Sequence, residues 1–89
     1  MPQAIVDPDE LRDFATSLKR YNDLVADATS TLQSQFAQLG ETWRDQEQVK
    51  FSQEFEQTVR VISQFQQASE EHIPLLNRKA AEIDQYLGR

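Results

Sequence analysis

The sequence contains no cysteine, which removes disulfide scaffolds, thiolate-ligated zinc, iron–sulfur clusters and thiol catalysis from consideration. Histidine occurs once, as His72, and the residue three before it is Ser69, so the Glu-x-x-His spacing of di-iron bundles is absent as well. Glycine is scarce, at Gly40 and Gly88, and the prolines are Pro2, Pro8 and Pro74, too few and too widely spaced to punctuate a β-sheet. No stretch approaches the ~18 apolar residues of a membrane span, and no basic segment followed by an apolar run opens the chain as a cleaved signal peptide would. Basic charge is short too: nine Lys and Arg stand against 15 Asp and Glu, for a net charge of −6. That balance disfavours nucleic acid and anionic lipid. The hydrophobic fraction is 38% in 89 residues, below the roughly 45–50% of ordinary globular chains, so one small domain is expected, with little core of its own.

What is present is helical periodicity. Asp7 suits an N-cap, Pro8 the first helical position, and Glu10 the far corner of a capping box, with Asp9 adding charge at the positive end of the dipole. Leu11, Leu18, Val25, Leu32 and Leu39 then recur every seven residues, with Phe14, Tyr21 and Ala28 on the neighbouring offset and Phe36 standing beside Gln35 where that offset is interrupted. A first helix is predicted over about residues 8–38. Gly40 follows Leu39 and is expected to close that helix in the left-handed conformation, within a turn over about residues 40–45. A second apolar series begins at Phe51 and Phe55 and continues through Ile62, Phe65, Leu76, Ile83 and Tyr86. It predicts a helix over about residues 46–87, with a kink near Pro74 or a break into a short final helix.

A short turn between two long helices forces them antiparallel. The expected fold is all-α: one helical-hairpin domain over residues 1–89. The apolar stripes are wider than a two-helix layer can cover, so the hairpin is expected to complete a four-helix bundle dimer, with an identical chain or a related one. The packing and dimer core is expected at Leu11, Phe14, Leu18, Tyr21, Val25, Leu32, Ile62, Phe65, Leu76 and Ile83.

The chemistry of the remaining residues points away from catalysis. His72 has no second histidine or acid–base constellation near it in the sequence, no glycine-rich phosphate loop occurs, and Glu54 and Glu56 fall outside the main seam, facing solvent. No enzyme activity, metal, cofactor, nucleic acid or membrane insertion is expected. The bases are scattered, and pairs such as Glu56 and Arg60 at helical spacing are ordinary surface pairs. Acidity in such a chain serves solubility.

The bend holds the most informative residues. Leu39, Gly40 and Trp43 lead into Phe51 and Phe55, and a large aromatic beside a helix turn packs across the helix ends and sets their angle. A hairpin with Trp in the bend, followed by aromatics at these spacings, resembles the WXG family of small Trp-X-Gly helical hairpins associated with type VII secretion, over nearly the whole chain. Trp43 is followed by Arg44 and Asp45, so an acid replaces the motif glycine and is able to cap the second helix instead. Many members or their partners carry a C-terminal Tyr-x-x-x-Asp/Glu element. Tyr86 is followed by Leu87, Gly88 and Arg89, so the chain is expected to leave a cell only alongside a partner that carries that element, or not to leave at all.

The resemblance implies a non-enzymatic interaction protein: a substrate, co-substrate or adaptor of a type VII-like secretion system. It would be cytoplasmic, or secreted without a cleaved signal peptide, with a secretion ATPase or a larger secreted protein as further partners. The alternative left open by the residues is a non-secreted coiled-coil adaptor or structural subunit of an intracellular assembly.

Overall fold

Asp7 starts the first helix. Its Oδ1 accepts the Asp9 amide at 2.8 Å and its carbonyl accepts the Leu11 amide at 3.1 Å, which places Pro8 at the first helical position, where a missing N–H is harmless. Glu10, expected to bond back to the cap, makes no such bond among the described residues; a carboxylate reaching toward the Asp7 carboxylate meets like charge, unlike the neutral Ser or Thr of a capping box. In the computed structural model, which describes residues 6–88, helix α1 spans Pro8–Leu39 and helix α2 spans Gln46–Leu87. The fold is all-α, with the two helices packed antiparallel as a hairpin. Helix α2 is not broken at Pro74, although the ring removes one ladder hydrogen bond there.

The chain forms two compact units. One is the bend unit, Asn22–Gln66; the other, the terminal unit, runs up to Tyr21 and resumes at Gln67. In the terminal unit, Leu11, Ala15 and Leu18 of α1 and Ser69, Ile73, Leu76, Ala80 and Ile83 of α2 are buried or half-buried. Ala15 is 2% exposed and Ala80 fully covered, so the tightest places hold small side chains that let backbones approach. Arg12 clasps this unit from α1 by pairing with Asp84 of α2, and reaches Asp9 on its own helix at 3.3 Å. The Asp84 hydrogen bond first, and then the charges of Asp84 and Asp9, push the Arg12 guanidinium above its ordinary value against the opposing effect of burial. The clasp therefore keeps its cation at any working pH.

In the bend unit the same seven-residue rhythm continues with Asn22, Val25, Thr29 and Phe36 of α1 and Ser52, Phe55, Val59, Ile62 and Gln66 of α2. Gln66 Nε2 donates to the Asn22 carbonyl at 3.0 Å, a contact from α2 to the backbone of α1 that favours one register of the two helices.

The sequence pattern puts Phe14, Tyr21 and Ala28 on the second line of the α1 seam. Instead that line is Ala15, Asn22, Thr29 and Phe36, one residue further on, while Phe14, Tyr21 and Ala28 stay exposed. At Ala15, Asn22 and Thr29 small side chains permit closer helix approach than Phe14 or Tyr21 would, and the line ends on Phe36, whose ring meets Phe51 and Phe55.

Gly40 also differs from expectation. Positive φ among glycines belongs to Gly88, at 77°, beyond the end of α2. Gly40 keeps a right-handed backbone, and α1 closes by tight turns: Gly40 N donates to Phe36 O at 3.1 Å, Glu41 N to Gln38 O at 3.1 Å, and Thr42 N and Trp43 N to Leu39 O at 3.1 and 2.9 Å. A Cβ at Gly40 would lie 3.3 Å from Ala37 O, close but without a forbidden φ. Gly40→Ala is therefore expected to leave stability within about 0.5 kcal/mol of wild type, since lost chain freedom in the unfolded state offsets the crowding. Urea denaturation checks this, and a loss of 1 kcal/mol or more would show that the bend requires glycine.

Candidate interaction site

The bend of the hairpin assigns a separate task to each of Trp43, Arg44 and Asp45. Trp43, half-buried, sets its ring 6.3 Å from that of Phe51 on the first turns of α2. Arg44 Nε donates to the Gly40 carbonyl at 3.2 Å, which places a cation at the negative end of α1 and satisfies one of the acceptors beyond its last turn. Asp45 Oδ1 accepts the Gln48 amide at 3.0 Å and its carbonyl accepts the Val49 amide at 3.3 Å, so Asp45 is the N-cap of α2. The acid in the glycine position is thus the residue that starts the second helix.

Behind the bend stands an aromatic cluster. Phe51 and Phe55, one turn apart on α2, stack with centroids 5.9 Å apart and planes 17° apart. Phe36 of α1 meets both, Phe51 at 5.5 Å and Phe55 edge-on at 5.3 Å and 74°, geometries the ring quadrupoles favour. Phe36 is the ring through which α1 joins the cluster, and the sequence pattern marks it only as a stand-in for an interrupted offset. A count of apolar positions cannot show that it lies opposite two rings of α2. Leu32, Gln35 and Leu39 flank these three rings around an open groove of about 260 Å³.

Leu39, Phe51, Phe65, Leu32, Phe14 and Tyr21 are exposed to roughly half their area, whereas Leu11, Leu18, Val25, Phe55, Ile62, Leu76 and Ile83 are half-buried in the seam. The bend unit accordingly carries an uncovered apolar surface: Leu32 and Leu39 beside Phe51 at the groove, with Val61 and Phe65 following on α2 at helical spacing. Among the described residues no group of His, Asp and Glu has the arrangement of a metal site, and no helix is long and apolar enough to cross a membrane. His72 Nδ1 lies 2.9 Å from the Ala68 carbonyl of its own helix, an ordinary local hydrogen bond.

These features meet in one finding from comparison with known proteins. The family described as proteins of 100 residues with WXG matches residues 3–86, and the chain belongs to it. Members are non-enzymatic helical-hairpin substrates of type VII secretion. No curated protein and no solved structure matches the chain.

The cluster geometry predicts that Phe36→Ala is more damaging than Trp43→Ala, because Phe36 contacts two rings of α2 and Trp43 one. A loss of about 2 kcal/mol is expected for Phe36→Ala, below the ~3–5 kcal/mol of a fully buried Phe, measured as the shift in denaturation midpoint at fixed protein concentration. The cap predicts that Asp45→Ala costs about 1 kcal/mol, whereas Asp45→Gly, which restores the motif glycine, costs a few tenths. Equal losses for the two would show that Asp45 acts through something other than capping.

Proposed function

We propose that this chain is a type VII secretion substrate or co-substrate that leaves the cytoplasm as one half of a helical-bundle dimer, and that the Trp43 bend is the end offered to the secretion ATPase or to a larger co-secreted protein. The observation that carries the reading is the mismatch between the core and the exposed apolar surface. Among the described residues the buried apolar side chains are the small ones of Pro8, Ala15 and Ala80, while Phe14, Leu24, Leu32, Phe51, Val61 and Phe65 are about half exposed. The chain exposes 7122 Å² at 10.3 kDa, against about 5,400 Å² for a compact monomer of that mass. The surplus, roughly 1,700 Å², exceeds the ~800 Å² per partner of a standard interface. A second hairpin supplies the missing layer, and the bend, with both helix caps built into its own backbone and side chains, stays ordered outside that layer.

Two measurements test this. Purified chain, alone or mixed with a related hairpin from the same host, is expected to scatter light as a species of twice the single-hairpin mass at micromolar concentration; a monomer under both conditions that stays folded on dilution contradicts the reading. Tagged chain in its native host is expected in the medium only when the secretion ATPase is intact, judged against a cytosolic lysis marker. Retention regardless of the ATPase would favour an intracellular adaptor instead. Trp43→Ala in the same assay separates recognition from packing: loss of export with an intact dimer implicates the bend in recognition.

A further inference from the structure

We propose that Arg44 is the specificity-determining residue of the bend, its guanidinium held ready for one carboxylate, the Asp or Glu side chain of the protein that receives this end of the hairpin. This rests on the bend-recognition reading above and names the chemistry of the contact. The ground is how Arg44 spends its donors. Its Nε bonds the Gly40 carbonyl at 3.2 Å, an acceptor just past Leu39, the last residue of α1. That bond fixes the guanidinium at the bend and leaves Nη1 and Nη2, the end edge of the fork, without a partner among the described residues.

Acids stand close in the sequence, yet none takes the fork. Glu41, Asp45 and Glu47 lie within three residues of Arg44, and among the described residues no ion pair joins any of them to it. Asp45 Oδ1 accepts the Gln48 amide as the cap of α2, and Glu47 sits in the first turn of that helix, where the positive end of the dipole favours it. Arg44 is exposed, so a backbone bond holds its fork at the surface instead of a neighbouring carboxylate closing over it. A side chain fixed in this way loses less rotamer freedom when a partner binds, and the parallel N–H groups match a carboxylate with two bonds at once. The surrounding acids select the occupant: they weigh more heavily against a doubly charged phosphate than against a carboxylate of single charge. Trp43, the preceding residue, is half-buried with its ring 6.3 Å from that of Phe51. The bend thus offers Trp and Arg in succession, residue types that dominate the energetics of protein interfaces. Lysine at position 44 would keep the charge and lose the fork.

The test is export of the full-length tagged chain from its native host with the secretion ATPase intact, scored beside the light-scattering mass and melting midpoint of each purified variant. Arg44→Lys is expected to lower export about tenfold, the loss of one charge-assisted contact, with mass and melting midpoint unchanged from wild type. Arg44→Glu is expected to abolish export, and an Asp→Arg or Glu→Arg change at one position of the receiving protein, found by suppressor selection, is expected to restore export to Arg44→Glu and not to Arg44→Ala. Wild-type export of Arg44→Lys, or a suppressor search that yields no Asp or Glu of another protein, overturns the carboxylate contact; if Trp43→Ala still fails to leave with its dimer intact, the bend remains the recognised end. An Arg44→Lys chain whose melting midpoint falls as far as that of Asp45→Ala assigns Arg44 to closing α1 and overturns the contact as well. Wild-type export of both Arg44→Glu and Trp43→Ala overturns the contact and the bend reading together.

Discussion

Two helices in contact can bury one stripe each, and the properties of this chain follow from how little its stripe holds. Along the seam Ala15, Thr29 and Asn22 of α1 face the inside of the hairpin, and Ser52, Gln66, Ser69 and Ala80 do so on α2. Small and polar groups allow close backbone approach but remove little apolar area from water, at ~25 cal/mol per Å². The stabilisation of the hairpin by itself is correspondingly thin. The larger apolar groups of the seam, such as Leu18, Phe55, Ile62 and Leu76, are only half-buried, and Phe14, Tyr21, Leu24, Val61 and Phe65 lie outside it, where a second layer is needed to bury them.

The bend answers a different constraint. A helix end leaves four unsatisfied backbone groups, and a six-residue connection between two helices has to serve both ends at once. Here the carbonyl of Leu39 takes two turn amides, Gly40 O takes Arg44, and Asp45 caps α2. With these partners supplied locally, the connection needs neither a left-handed residue nor the family glycine. The aromatic cluster of Phe36, Phe51 and Phe55, with Trp43 against Phe51, then fixes how the helix ends meet. A bend built in this way satisfies its own backbone groups and leaves Trp43 half-buried.

Much of this was legible in the residues. Apolar series at helical period on both sides of one glycine imply a hairpin, Asp7 and Pro8 mark a helix start, and Trp43 followed by Phe51 and Phe55 carries the family resemblance that the match over residues 3–86 establishes. Periodicity, however, marks a stripe wider than one contact line. It does not say whether Phe14 or Ala15 turns inward, nor that Phe36 is the ring bridging to α2, because those outcomes depend on how closely two helices approach and at what rotation.

The sequence by itself determined secondary structure, hairpin topology and acidity, since each follows from local periodicity, capping residues and composition. Tertiary structure decided which half of each apolar stripe is spent inside the chain and which is left outward, with Ala15 and Ala80 at the tightest places, where backbones come close. It also decided the conformation of Gly40, since hydrogen bonds to the last carbonyls of α1 are satisfied through right-handed turns and the freedom of glycine is not used there.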